Sequence, residues 1–202
     1  MNIESALEVL NKDSRMQMLI ERYGHPTFEK KNDYFQSLVR SIVFQQLSGK
    51  VADIIYQRLV ILVPKNRINP KSILMVSDND MRGVGLSLRK VSYIKNLAVY
   101  FDTNVFSSKE VQKMSNEAIS SELIQIKGIG QWTVDMFLMF TLNRPDIMPY
   151  SDLGIQKAMR IVFNLNRLPT KSEMESLSAR WKPYRTIACW YLWKIVDDGV
   201  DW

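Results

Sequence analysis

Three places in the chain combine residue types that can do chemistry. The first is Lys127-Gly128-Ile129-Gly130-Gln131-Trp132-Thr133, where two glycines one residue apart separate an apolar segment (Leu123, Ile124, Ile126) from a new amphipathic stretch. Glycine permits a sharp reversal, and a helix that starts just beyond it offers its N–H groups and positive end to a phosphate oxygen. The same residues also suit a plain helix C-cap between two helices, so the turn by itself leaves both readings open. The second place is Ser151-Asp152, just ahead of the Ile155, Met159, Val162 stripe. An Asp there is an ordinary N-cap. A carboxylate at the positive end of a helix is equally suited to stabilise a developing cation or to orient and deprotonate a water molecule. These two roles are compatible. The third place is Gln46-Leu47, where Gln46 continues the Val39, Val43 stripe as a polar residue and Leu47 follows at the helix end. A break in pattern of this kind marks a working surface, or else a helix-end hydrogen bonder beside a core leucine.

Aromatic faces are also available. Trp132 and Trp193 are suited to stack on a cationic ligand. Trp190 and Trp193 lie on one side of a segment that is apolar almost all round, which fits core packing just as well. Tyr34 and Tyr150 are further aromatic candidates, and His25 reads as a surface or turn residue.

Composition narrows the classes of function. The net charge of +6 is contained in one stretch, Lys157 to Lys194, with eight basic residues against two acidic ones. Such a face suits a polyanion, although solvated helix faces give the same balance. The single cysteine, Cys189, sits in an apolar run and reads as a small buried hydrophobe of a reduced, cytosolic protein. One cysteine and one histidine leave no ligand set for a disulfide, an iron–sulfur cluster or a Cys/His zinc site. No apolar run approaches membrane-spanning length and no leader pattern is visible, so the expected home is cytoplasmic and the expected state a monomer.

The elements that must hold these residues are helices. Phe35, Leu38, Val39, Ile42 and Val43 follow one helical face, and Val51, Ile55, Leu59 and Leu62 repeat the pattern. Similar stripes run over Val91 to Phe101, Val134 to Thr141 and Ile155 to Phe163, and no segment alternates with period two. Turn signals at Pro64, Pro70, Gly83-Val84-Gly85, Gly128-Ile129-Gly130, Pro145, Pro149 and Pro169 separate them. The expectation is an all-α protein of about ten helices with short connections.

The stretch Leu123 to Asp135 resembles the helix-hairpin-helix of the DNA glycosylase superfamily, and Met148-Pro149-Tyr150-Ser151-Asp152-Leu153-Gly154-Ile155-Gln156 resembles its catalytic Asp segment. Three more segments resemble the 3-methyladenine glycosylase branch: Ser41 to Ser48 its DNA-wedge turn, Gly85 to Lys90 its middle loop, and Trp181 to Arg185 with Tyr191-Leu192-Trp193 its C-terminal helix. The similarity covers roughly residues 30 to 195, in the family's order. It implies one catalytic core over residues 1–202, made of two helical lobes with the active-site cleft between them. The middle helices, about 50–140 and including the hairpin 123–135, would form one lobe and both chain ends the other. Longer bacterial members carry an extra N-terminal β-domain; this sequence resembles the compact form.

The resemblance also assigns roles. Asp152 becomes the catalytic carboxylate, and Gln46 and Leu47 the wedge that fills the gap left by a flipped base. Trp132, Trp193, Met136 and Tyr34 line the base pocket, with Met136 where some relatives have an aromatic. Lys127, Gly128, Gly130, Thr133 and Ser48 contact DNA. The backbone carbonyls of Ile124, Ile126 and Ile129 are a place for a sodium or potassium ion, and no other cofactor is expected. Lyase-competent relatives have a lysine where this chain has Trp132, so amine catalysis is not available there. The expected activity is hydrolysis of alkylated purines from double-stranded DNA without strand cleavage, in the nucleoid of a bacterium or archaeon or the nucleus of a eukaryote. Two alternatives stand beside it. One is a glycosylase for oxidised or deaminated bases, and the other a non-catalytic hairpin module that only anchors duplex.

Overall fold

The computed structural model describes residues 1–29, 31–103 and 108–196. Among these, no strand is present, and the helices in chain order are α1 (Ile3–Leu10), α2 (Ser14–Tyr23), α3 (Tyr34–Phe44), α4 (Gly49–Leu62), α5 (Pro70–Met75), α6 (Asp78–Gly83), α7 (Leu88–Thr103), α8 (Ser108–Val111), α9 (Asn116–Ile124), α10 (Gln131–Phe140), α11 (Leu153–Val162), α12 (Lys171–Ser178) and α13 (Arg185–Val196), with 3-10 turns at Pro64–Asn66 and Ala179–Trp181. There are more helices than the periodicity suggests because α5, α6 and α8 are six, six and four residues long. A helix that short cannot display a 3.6-residue repeat. Caps start them instead: Asn69 and Ser72 form a reciprocal capping box ahead of Pro70, and Ser77 caps α6. No described helix is long and apolar enough to cross a membrane.

The chain divides into two compact units, Met1–Lys30 with Leu138–Trp202, and Lys31–Phe137. In the first, α13 packs against α11, α2 and α1. Trp181 and Tyr191 are fully buried there, and each finds a polar partner for its ring substituent. The Tyr191 hydroxyl donates to the Gly24 carbonyl at 2.7 Å, at the end of α2, and burial pushes that phenol up to about 12. The Trp181 Nε1–H donates to Asp13 Oδ2 at 3.1 Å. Cys189 is buried, with its Sγ 3.5 Å from Met148 Sδ, as its apolar surroundings in sequence imply. His25 is exposed, with Nδ1 3.9 Å from Glu4.

In the second unit, α7 is the element on which α3, α5 and α6 pack. The apolar stripe Phe35, Leu38, Val39, Ile42 and Val43 is buried as its spacing requires. On α4 the buried face is Ala52, Ile55, Tyr56 and Leu59, whereas Val51, expected to belong to it, is 46% exposed. Ile55 and Leu59 keep their expected places, with Ala52 and Tyr56 beside them in place of Val51. Two lysines of α7 tie down neighbouring helix ends: Lys95 Nζ donates to the Val76 carbonyl after α5 at 2.6 Å, and Lys90 Nζ to the Val43 carbonyl in the last turn of α3 at 2.7 Å. Cations at the negative ends of helices are favourable.

Asp13 concentrates several terms in the first unit. It caps α2 through the Arg15 N–H at 3.0 Å, accepts from Trp181, and faces Arg15 and Arg180 at 3.5 and 3.8 Å, with a side chain only 5% exposed. Removing a buried acceptor strands its donors. Asp13→Ala is expected to lower the unfolding free energy by about 2–4 kcal/mol in urea titrations. A change under about 1 kcal/mol would show that the cluster is not structural.

Candidate active site and hairpin

The carboxylate of Asp152 is held at the N-terminus of α11. Its backbone is extended (φ −76°, ψ 117°), and Oδ1 accepts from the Ile155 N–H at 2.8 Å, so the side chain caps the helix. The same oxygen accepts a second bond from Trp193 Nε1 at 3.1 Å, although Trp193 lies on α13. Asp152 is 9% exposed and Trp193 3%. The indole sits 5.6 Å from the Phe140 ring. Trp193 therefore orients the carboxylate, with its ring packed against Phe140.

Gly154 makes that contact geometrically feasible. A Cβ there would lie 3.0 Å from Asp152 Oδ1 and 3.2 Å from Trp193 Cδ1, tight enough that a side chain would press on both partners. The loop leading into Asp152 is fastened by the start of α13. Arg185 donates to both carboxylate oxygens of Asp146, Nε to Oδ1 at 2.5 Å and a terminal nitrogen to Oδ2 at 3.0 Å, and reaches the Tyr150 hydroxyl at 3.2 Å. Thr186 Oγ1 donates to the Arg144 carbonyl at 2.6 Å and accepts from the Ile147 N–H at 3.1 Å. Gln156 returns to the Tyr150 carbonyl at 2.9 Å. Burial raises the Tyr150 phenol above its ordinary range, with Arg185 pulling it the other way. Thr186 and Trp193 are seven residues apart, two turns on one face of α13. One helix face thus fixes both the loop and the carboxylate.

In the second unit, α9 ends at Ile124 and the chain reverses through short turn bonds. The Ile126 N–H donates to the Leu123 carbonyl at 3.1 Å and the Ile129 N–H to the Ile126 carbonyl at 2.9 Å. Gly128 has φ 109°, and a Cβ there would fall 2.2 Å from Tyr93 Cγ. Only glycine fits over that ring. Gly130 differs: its φ is not positive, and nothing lies within 4 Å of a Cβ built on it. It is the residue before α10, and its carbonyl takes the Val134 N–H at 3.1 Å. Lys127 and Gly130 are exposed and Trp132 is half-buried.

The turn after α3 presents Gln46, Leu47 and Ser48 to solvent. Gln46 takes the left-handed conformation (φ 56°), and Leu47 is 39% exposed, which removes the reading of Leu47 as a core residue. Gln45, one position earlier, donates through Nε2 to the Gly128 carbonyl at 3.2 Å and to Thr133 Oγ1 at 2.9 Å. Thr133 is 1% exposed, and its side chain is an internal strut that receives Gln45. Tyr34 and Met136 are also buried, with Tyr34 edge-on to Phe137 at 5.3 Å. Gln45, Gly154, Asp146 and the tasks of Arg185 and Thr186 escape sequence reasoning, because none breaks a periodic pattern. Among the described residues, no group of three or more His, Cys, Asp or Glu side chains is arranged to hold a metal ion.

Residues 39–183 match the HhH-GPD superfamily base excision DNA repair proteins. The chain is 36% identical over 182 residues to DNA-3-methyladenine glycosylase 1 of Schizosaccharomyces pombe, covering 89% of this chain and 80% of that one. A solved structure of 3-methyladenine DNA glycosylase from the same yeast, in complex with abasic DNA, superposes with a TM-score of 0.88 at 33% identity, covering 98% of this chain and all (100%) of the other. DNA-3-methyladenine glycosidase from Bacillus halodurans gives a TM-score of 0.76 at 35% identity, over 93% of this chain and 87% of its own. The match extends over most of the chain and takes in the hairpin and Asp152 alike, and the chain belongs to the HhH-GPD superfamily of base excision DNA repair proteins.

Proposed function

We propose that this protein is a monofunctional DNA glycosylase that removes alkylated purines, of the 3-methyladenine and 7-methylguanine type, from double-stranded DNA by hydrolysis. The observation that carries the reading is Asp152, a nearly buried carboxylate whose Oδ1 is pinned by the Ile155 N–H and the Trp193 indole. The names of the relatives at 33–36% identity support the substrate class.

An N3- or N7-alkylated purine carries positive charge, so it departs without a strong protein acid. As the C1′–N bond breaks, its electron pair neutralises the base and the sugar becomes an oxocarbenium-like cation. A fixed carboxylate stabilises that cation electrostatically. Water then forms the C1′–O bond and gives up a proton, with Asp152 as the nearby base. A single carboxylate suffices for such a leaving group, where an ordinary glycosidase uses two.

The hairpin would grip the backbone. Gly130 at the start of α10 puts N–H groups at a positive helix end, and the missing side chain leaves room for a phosphate. Lys127 adds charge. The carbonyls of Ile124, Ile126 and Ile129 suit a sodium or potassium ion: Ile124 ends α9, where carbonyls lack helical partners, and the donors are all hard oxygens. Such an ion would add positive charge beside the phosphate. Gln46 and Leu47, exposed at the α3–α4 turn, would enter the stack when the base flips out. The compartment follows from the substrate: the nucleoid of a bacterium or archaeon, the nucleus of a eukaryote.

Asp152→Asn is expected to lower single-turnover release of methylated bases by about three orders of magnitude, with affinity for undamaged duplex nearly unchanged. Full activity in that variant removes Asp152 from the mechanism. The glycines should separate by assay. Gly128→Ala should lower the melting temperature because of the Tyr93 contact, whereas Gly130→Ala should leave stability within about 1 kcal/mol yet weaken duplex binding at every sequence. Wild-type binding should fall steeply with salt, by close to one logarithmic unit in affinity per decade of salt for each phosphate held. Salt-independent affinity would contradict the hairpin reading. Finally, Trp132 bears no nucleophilic amine, so the product should be an intact strand with an abasic site, broken only by hot alkali or an added abasic endonuclease. A covalent adduct trapped by borohydride would overturn the monofunctional assignment.

A further inference from the structure

The turn between α3 and α4 holds itself together weakly. Its local backbone bonds are long, Gln45 N–H to the Ile42 carbonyl and Leu47 N–H to the Phe44 carbonyl at 3.3 Å each, and Ser48 makes no side-chain cap on α4. Gln46 occupies a left-handed conformation with no glycine to ease it. A turn of this composition needs outside support to keep one shape. Two side chains supply it. Lys90 Nζ grips the Val43 carbonyl at 2.7 Å from one side, 47 residues away in sequence. Gln45 supplies the other, through its carboxamide to the Gly128 carbonyl and Thr133 Oγ1, at separations of 83 and 88 residues.

The positions of those two acceptors carry the argument. The Gly128 carbonyl belongs to the turn itself, and Thr133 is in the first turn of α10, so the Gln45 amide spans the segment that contains Gly130. Gly128 cannot move independently, because it lies against Tyr93 on α7, the helix that also carries Lys90. Hairpin turn, α7 and the end of α3 are thus closed into one loop of contacts within a single compact unit. The chemistry of residue 45 is specific: two N–H donors on one planar nitrogen meet two oxygen acceptors. A carboxylate there would face the Gly128 carbonyl with like charge, and a thioether of equal length would have nothing to donate.

We propose that Gln45 is a positioning residue that fixes the distance between the phosphate grip of the hairpin and the wedge Gln46-Leu47, so that seating a backbone phosphate at Gly130 aims the wedge at one base step. This deepens the proposed function and rests on its reading of hairpin and wedge. Gln45 itself touches neither the base nor the sugar. Its loss should be felt only where a stacked, paired base must be displaced.

The test uses the full chain and two duplexes that carry 7-methylguanine at one position, either paired with cytosine or facing an abasic gap where there is little to wedge apart. Gln45→Met keeps the length and removes the donors, and Thr133→Val removes one acceptor at the far end. Each should slow single-turnover release from the paired duplex by about tenfold and from the gapped duplex by less than about twofold, with affinity for undamaged duplex preserved. Combining Gln45→Met with Leu47→Ala should cost little more than the larger single effect. An unchanged paired rate in Gln45→Met overturns the proposal, and so does an equal loss on both duplexes with a lowered melting temperature, which marks a purely structural strut. If Leu47→Ala and Gln46→Ala both leave the paired rate unchanged, the wedge reading fails, and this inference falls with it. A paired-duplex loss in those variants but none in Gln45→Met sinks the inference alone.

Discussion

A carboxylate taken nearly out of water is tolerated only when its charge is answered by donors, and in this protein that requirement falls on Asp152 Oδ1. One donor comes from the helix it caps, the Ile155 N–H, and the other from the Trp193 indole on a different helix. Hydrogen bonds to a charged group contribute about 1.5–3 kcal/mol each, while desolvating a carboxylate costs several kcal/mol. The clasp offsets the burial and adds little stability beyond it. What remains is orientation. The requirement then propagates: Gly154 leaves room between the two partners, α13 must lie close enough for its indole to reach, and Arg185 and Thr186 hold the 144–150 loop against the start of that helix.

The hairpin obeys a parallel logic with a different division of labour between its glycines. Gly128 is fixed from within, by a positive φ and by the Tyr93 ring 2.2 Å from where a Cβ would be. Gly130 has no such internal reason, since open space surrounds it. It is the residue immediately before α10, at the positive end of that helix. The two glycines sit two residues apart, so the packing of Gly128 on Tyr93 of α7 places the chain just ahead of α10.

Much of this was legible before any coordinates. Helical stripes predict α3, α4, α7, α10 and α11, each long enough to display the 3.6 period, and the Ser-Asp pair ahead of Ile155 announces a helix start. The burial of Cys189 followed from its apolar neighbours. Short helices such as α5 and α6 did not register, being carried by caps and prolines and not by periodicity. Neither did the partners of Gln45 or Arg185. A side-chain bond spanning 83 or 39 residues leaves no local signature at either end. Thr133 is a related case: its hydroxyl lies beside the Gly128 turn, and nothing in its neighbours tells that it is turned inward to receive Gln45. Residue type and spacing locate the chemistry, and the tertiary polar bonds decide which neighbour performs it.

The chemistry of the proposed substrate explains why so few catalytic groups are needed. Alkylation at N3 or N7 places positive charge on the purine, and that charge does the work an acid would otherwise do on the leaving group. The protein is then asked chiefly to keep one negative charge in register with the sugar while the base is outside the stack. Rate becomes a question of placement, and a misplacement of about 1 Å can cost as much as a lost catalytic group. This accounts for the way polar bonds are distributed in the chain. Polar bonds fix the loop and the helix that carry Asp152 and, in the second unit, the turn after α3. A neutral lesion would shift the balance, since its departure requires a proton donor, and Asp152 already accepts two N–H bonds on one oxygen.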